Sequence, residues 1–190
     1  MPELKTVYFV RIDSLVVGPL LLAATAKGLR CLHFYKGKMP APAKNETWIE
    51  SSERLRPYVV QLDSYFRGEL HAFTFELDLV GTEFQKDCWR ALLRIPYGKT
   101  CSYAEIARAI GRPKAFRAVG QANHDNPIAI VVPCHRVLGA NGTLTGYGGG
   151  LSTKEKLLRL EGATFQLKSP TTRDFTADKT ADPPQASFQY

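Results

Sequence analysis

Apolar positions in the first third of the chain come in short alternating or unbroken runs. Val7 to Val10, Leu20 to Ala24 and Leu29 to Phe34 are such runs, separated by Gly18-Pro19 and Lys27-Gly28, and they predict three strands. After a Pro-rich stretch from Met39 to Asn45 the spacing changes to the helical period. Leu55, Tyr58, Val59, Leu62 and Phe66 share one helix face, which ends at Gly68. Phe73, Phe75 and Leu77 then alternate as a strand. Residues 1–80 read as a small α+β domain in which no chemistry is visible.

The second part, residues 81–168, reads as mostly helical. Three stretches match a capping box, in which a hydroxyl and a Glu or Gln three residues on satisfy exposed helix donors. Thr82 with Gln85 opens a helix whose face is Phe84, Cys88, Leu92 and Ile95; Ser102 with Glu105 opens a second that ends at Gly111. Ser152 with Glu155 opens a last one that runs through Leu157, Leu158 and Leu160 to Gly162. Between them, Pro113 predicts the first turn of a short helix running to His124. Residues 169–190 are polar and nearly free of aliphatic side chains, as in a disordered tail.

Composition narrows the class. With 190 residues, 44% hydrophobic and 23% charged, the chain is long enough to bury a core and is not wholly disordered. Its longest apolar stretch, Leu15 to Ala26, is too short for a bilayer and holds Gly18 and Pro19, while the start MPELKTVYF lacks a secretory layout. Cys31, Cys88, Cys101 and Cys134 form no CxxC pair, which suits an intracellular protein with free thiols. The net charge of +7 is unevenly spread: residues 1–80 carry ten basic and nine acidic side chains, residues 81–168 thirteen and six. Such a localised basic field suits nucleic acid, although charge alone equally describes a solvated helical surface.

The helix pair Ser102 to Ile110 and Pro113 to His124, joined at Gly111-Arg112, has helix-turn-helix proportions. Its second helix carries Ala115, Ala118 and Ala122 at i, i+3 and i+7, with Gly120 nearby and Lys114 and Arg117 flanking. A smooth helix with one protruding Arg suits the shallow minor groove and backbone contact; small residues also serve plain helix packing. Farther on, Asn126-Pro127 precedes an apolar run, Ile128 to Val132, that reads as a buried strand leading into Pro133-Cys134-His135-Arg136-Val137. A free thiol is only a few per cent ionised at neutral pH, so a reactive Cys134 needs help from a His or Arg. Side chains of adjacent strand residues point to opposite faces, so contact with His135 requires a turn or a water. By itself a Cys-His pair is more often structural than catalytic, and partners at zinc-ligand spacing are missing. Gly146-Tyr147-Gly148-Gly149-Gly150 lacks phosphate-loop spacing and fits either close backbone approach or a flexible turn.

In their order and intervals, Ser102-Tyr103, Arg117-Ala118-Val119-Gly120, Asn126-Pro127, Pro133 to Val137, Tyr147 to Gly150, Lys154-Glu155 and Glu161-Gly162 closely resemble the O6-alkylguanine-DNA alkyltransferases. The resemblance covers Thr82 to Gly162 and is looser over residues 1–80. It implies an RNase H-like N-terminal α+β domain followed by a winged helix-turn-helix-like domain holding the active-site cysteine. It also implies a single-turnover methylated-DNA–protein-cysteine S-methyltransferase that binds duplex DNA through the minor groove. Such a protein flips out O6-alkylguanine, or less readily O4-alkylthymine, and moves the alkyl group irreversibly to Cys134. Carried onto this sequence, His135, through a water and backed by Glu161, resembles the proton relay, and Asn126 braces the preceding turn. Tyr103, Val137, Tyr147, Gly148 and Lys154 match positions that turn, line or steady the base pocket. Arg117 resembles the finger that fills the vacated stack, on a helix with Lys114, Ala115, Ala118, Gly120 and Ala122. No cofactor and no metal are implied.

Some positions depart from the pattern. Gly148 stands where some members have Ser, and Ala129 where some have Pro, which predicts a roomier pocket wall. Thr25 and Arg30 occupy two places that hold zinc ligands in some members, so zinc is not expected. The expected partner is alkylated double-stranded DNA, with no membrane association. The chain is expected to be a monomer, cytoplasmic or, in a eukaryote, nuclear, with cooperative binding along DNA left open. A lesion-sensing relative without transfer activity lacks the reactive cysteine that is present here, and a regulator would need a further DNA-binding or metal domain that is not visible.

Overall fold

The computed structural model describes residues 4–167; the expected tail, residues 169–190, lies outside the described residues. Strands β1 (Lys5–Ser14), β2 (Gly18–Thr25) and β3 (Gly28–Phe34) form an antiparallel meander as the apolar runs predict, and a fourth strand, β4 (Glu46–Glu50), adds in parallel to the free edge of β1, giving the order β3-β2-β1-β4. Alternation along the strands divides the sheet into two faces. Val10, Leu22 and Leu32 are in register on the face covered by helix α1 (Ser52–Phe66), against Leu55, Leu62 and Tyr65. On the opposite face, Ala23 and Cys31 join Val7 in a small cluster closed by Phe9 and Trp48.

The second part holds α2 (Glu83–Leu93), a two-residue strand β5 (Cys101–Ser102), α3 (Tyr103–Ala109), α4 (Phe116–His124), a 3-10 turn (Cys134–Arg136), β6 (Val137–Leu138) and α5 (Leu151–Leu160). Its capping boxes at Thr82/Gln85 and Ser102/Glu105 are formed. The molecule is thus a mixed α+β fold, strand-rich first and helical second, and one apolar core runs through both parts. No helix of the described residues is long and apolar enough to cross a membrane.

Several expectations change. The Ser152 box is absent: Gly150 at φ 89° caps α5, which places Ser152 inside the first turn, where its hydroxyl caps nothing. Pro113 belongs to the preceding turn, and α4 begins at Phe116. Phe73 to Leu77 is not a strand: the chain bends at Phe75 and only Leu77 bridges to the sheet, at Leu29. Ile128 to Val132 is buried as expected but is not a strand. Ile128 bridges to Leu32, and the chain then folds back through Val131 N to Ala129 O (2.8 Å) and Val132 N to Ile128 O (2.9 Å). Ile130 sits at φ 71°, a conformation that costs a β-branched residue on the order of 1–3 kcal/mol. At the places where zinc ligands were considered, Thr25 donates to Asp78 (2.8 Å) and Arg30 pairs with Glu46 (2.6 Å).

Candidate active site

The turn at residues 126–132 delivers Cys134. Asn126 holds it closed from within: its Oδ1 accepts from Ile128 N (3.0 Å), and its Nδ2 donates to Val132 O (2.8 Å) and to Cys134 Sγ (3.1 Å). Cys134, His135 and Arg136 then form the 3-10 turn, in which successive side chains lie about 120° apart. The opposite-face problem of a strand therefore does not arise.

His135 and Glu161 are fully enclosed, and His135 Nε2 lies 2.8 Å from Glu161 Oε1. The same carboxylate accepts from Arg136 Nε (2.8 Å) and Nη2 (2.9 Å), from Tyr65 OH (2.7 Å) and from Gly98 N (3.3 Å). Burial alone would raise the Glu161 carboxyl, but the hydrogen bonds and charges of His135 and Arg136 hold it down at about 2. Glu161 is therefore an anion and only accepts. Burial lowers the pKa of His135, so the imidazole is neutral at pH 7. A neutral ring facing a carboxylate carries its proton on Nε2, and that leaves Nδ1 as a bare acceptor. Nδ1 has no partner among the described residues.

Burial pushes the Cys134 thiol up; the Asn126 hydrogen bond, the Lys154 ammonium and nearby backbone N–H groups pull it back. Lys154 is itself buried, which brings its pKa down to about 8, and it donates to Val137 O (2.6 Å) and Thr145 O (3.3 Å). It thus ties α5 to β6 and to the loop carrying Tyr147.

Cys134 lies at the junction of two lobes of one cleft. The lobe of about 500 Å3 is lined by Tyr103, Gly120, Gln121 and Gly146, and the lobe of about 320 Å3 by His33, Phe34, Lys36 and Ala129; Asn123, Tyr147 and Gly148 border both. Tyr103 OH is hydrogen-bonded to Thr145 Oγ1 (2.9 Å). Four buried side-chain atoms of the described residues lack a protein partner: both polar atoms of Asn123, His135 Nδ1 and Tyr147 OH. All belong to residues at this site, where a ligand can supply what the fold does not.

The expected residues Cys134, His135, Glu161, Asn126, Tyr103, Tyr147, Gly148 and Lys154 come together here. Val137 stands behind the cleft: its side chain is fully buried in β6 and its carbonyl receives Lys154, so it does not line the walls. Outside, α4 exposes Lys114 before its start, then Arg117 and Ala118, with Ala115 half-buried, while Gly120 faces the Tyr103 ring. No carboxylate of the described residues lies within salt-bridge reach of Lys114 or Arg117, whereas Lys86 and Arg90 are paired with Glu83 and Asp87. Ala122 is a correction: it points into the core beside Val119, and its carbonyl accepts from Trp89 Nε1 (2.8 Å). The small-residue stripe is therefore shorter than its spacing suggests.

The reading that residues 1–80 hold no chemistry also changes. Tyr65 of α1 reaches Glu161, Phe34 packs edge-on against Tyr147 (5.5 Å, 69°), and Lys36 donates to Gly148 O (3.3 Å). Asn123 was missed as well, although its signal was legible: it lies four residues after the buried Val119, a polar side chain on the inward face of α4.

Two family models match. The one described as the ribonuclease-like domain of 6-O-methylguanine DNA methyltransferase covers residues 6–79, and the one described as its DNA binding domain covers residues 83–163. A methylated-DNA–protein-cysteine methyltransferase of Methanosarcina acetivorans is 55% identical over 147 residues, 77% of this chain and 94% of that protein. One of Mycobacterium leprae is 53% identical over 145 residues, 76% and 87% of the two chains. The crystal structure of Mycobacterium tuberculosis OGT in complex with DNA aligns with a TM-score of 0.72 at 50% identity, covering 82% of this chain and 92% of that one.

Proposed function

The chain belongs to the 6-O-methylguanine DNA methyltransferase family, and on that premise we propose how it works. As a methylated-DNA–protein-cysteine methyltransferase it repairs DNA by moving an alkyl group onto a cysteine, and Cys134, at the junction of the cleft lobes, is the cysteine we assign to that role. The carrying observation is the buried His135, neutral, fixed through Nε2 on Glu161, with Nδ1 free beside the thiol's turn. Through a bridging water Nδ1 takes the thiol proton. The sulfur then attacks the alkyl carbon in line, the C–O6 bond breaks, and its electron pair leaves with guanine, which takes up one proton. The sum is thiol plus O6-alkylguanine to thioether plus guanine. A thioether has no ready leaving path, so each chain reacts once and needs no diffusible cofactor.

The base must leave the duplex to reach a thiol this deep, at a cost of a few kcal/mol. The outer face of α4 supports minor-groove approach: Ala115 and Ala118 are short, Lys114 reaches phosphate, and Arg117 fills the gap left by the flipped base. Gly120 and Tyr103 border the lobe through which that base enters, and the Tyr147-Gly148 backbone lines its far side.

The test is intact-protein mass after incubation with excess duplex containing O6-methylguanine, followed by peptide mapping. The expected result is one methyl group per chain, on Cys134, with Cys134→Ser gaining none while still binding the duplex. Methyl on another residue, or lesion binding without any gain, overturns the assignment.

A further inference from the structure

Phe116 is 47% exposed, the only exposed Phe, Tyr or Trp side chain among the described residues, and it opens α4 directly before Arg117. A single apolar side chain at the surface is ordinary; the place of this one is not. Between Glu105 and Asp125 the sequence carries Arg108, Arg112, Lys114 and Arg117 and no acid, so the ring stands in a purely basic stretch. It also interrupts the short side chains of Ala115 and Ala118 with a bulky one.

Helical geometry fixes where the ring stands. Residues four and seven apart share a face, so Phe116 lies on one stripe with Gly120 and Asn123. Both of those residues border the lobe that holds Tyr103, and a Cβ at Gly120 would lie 3.9 Å from the Tyr103 ring. Helical side chains lean toward the N-terminus, which carries the Phe116 ring along that stripe to the rim of the cleft. Arg117 projects about 100° farther round the helix, onto its outer face, and its guanidinium carbon is 5.9 Å from the centre of the Phe116 ring. Ring and guanidinium are thus neighbours, one at the cleft mouth and the other on the outer face.

Resting on the reading of α4 as the minor-groove element, we propose that Phe116 is a second wedge on alkylated duplex DNA. While Arg117 fills the gap in the stack, the Phe116 ring packs in the minor groove against the deoxyribose of the extruded nucleotide and the edge of the neighbouring base. It thereby opposes return of the base to the duplex. Phosphates complement the basic stretch, and the sugar and base supply the apolar surface that the ring lacks in the free protein. The contact is apolar, so it releases no counterions, unlike the contacts of Lys114 and Arg117.

The experiment measures single-turnover methyl transfer to Cys134 from duplex O6-methylguanine and from the free O6-methylguanine nucleobase at high concentration. Phe116→Ala is expected to slow transfer from the duplex about tenfold, the size of one lost aromatic contact, and to leave transfer from the nucleobase unchanged. Phe116→Trp, which keeps a flat apolar ring, retains most of the duplex rate. The slope of log affinity against log salt for the duplex stays at the wild-type value in Phe116→Ala and becomes shallower by about 1 in Lys114→Ala. An unchanged duplex rate, equal losses on duplex and nucleobase, or a shallower salt slope in Phe116→Ala overturns the proposal. Arg117→Ala separates this proposal from the reading beneath it. If that variant also loses equally on duplex and nucleobase, the minor-groove reading of α4 falls too; a duplex-specific loss seen in Arg117→Ala alone removes only Phe116.

Discussion

Glu161→Gln is the substitution with the most to say about this fold. The Glu161 carboxylate is fully buried and gathers Tyr65 OH, His135 Nε2, two guanidinium nitrogens of Arg136 and Gly98 N. With Gln in its place Arg136, 7% exposed, keeps the Ile95 carbonyl (2.6 Å) and one neutral amide oxygen, but an NH2 takes the place of its second acceptor and its charge loses its counterion. Removing one partner of a buried pair costs about 3–5 kcal/mol. The depressed pKa corresponds to a similar size: a carboxyl held at about 2 against an ordinary 4.5 is linked to about 3 kcal/mol. Its folded pKa is depressed, so the unfolded chain takes up this proton first as pH falls. The contribution is complete above pH 4.5 and is lost as pH falls toward 2. Urea unfolding is thus expected to separate wild type and Glu161→Gln by about 3–5 kcal/mol at pH 7, and by progressively less below pH 4.5. The double substitution Arg136→Met, Glu161→Leu removes both charges and is expected to recover most of that stability. It does not recover transfer, which stays at least about 100-fold slow because His135 has lost the acceptor that fixes its tautomer. A pH-independent difference, additive losses in the double variant, or full-rate transfer by folded Glu161→Gln would each refute this account.

Two further perturbations test the other supports of the site. Lys154 has a folded pKa of about 8 against an ordinary 10.5, so the folded chain loses this proton first, and its contribution to stability rises between pH 8 and pH 10.5, by up to about 3 kcal/mol. Lys154→Met is expected to abolish that rise, and stability curves of the two proteins that run parallel across this range would contradict it. A Cβ added at Gly149 would meet the Phe34 ring at 2.7 Å, so Gly149→Ala forces the ring or the Tyr147 loop to shift and disturbs their edge-on packing. The expected loss is about 1–3 kcal/mol together with slower transfer, and unchanged unfolding and transfer would show that the loop does not need this contact.

The strands β1 to β3, helix α1 and the capped starts of α2 and α3 were legible because each rests on a local signal: alternation, helical period, or a hydroxyl three residues before its partner. β4 was not, because it is an edge strand that pairs only with β1 and leaves Thr47, Ile49 and Glu50 exposed, so its sequence shows no buried face. Ile128 to Val132 was misread for the opposite reason. It is buried on all sides by packing between the two halves, and apolarity does not distinguish a strand from a turn that Asn126 closes with its side chain. At the site, Cys134 and His135, singled out by the motifs, share one turn, and Glu161 meets His135 at 2.8 Å. The partners Tyr65 and Lys36 were invisible because they lie 96 and 112 residues from the groups they bond.

Those long-range bonds tie the N-terminal half to the candidate site. Leu32 of β3 donates to Pro127 O (2.9 Å) and accepts from Ala129 N (3.0 Å), so the sheet edge holds the turn that Asn126 closes and that delivers the thiol. Phe34 and Lys36, two and four residues on, hold the Tyr147-Gly148 wall of the cleft. On the other side of the core, Tyr65 supplies one of the hydrogen bonds on the carboxylate that fixes the His135 tautomer. The position of the Cys134 thiol, the cleft wall and the His135–Glu161 pair therefore each depend on a contact between the two halves. A change in docking must alter reactivity even where no residue near Cys134 is touched.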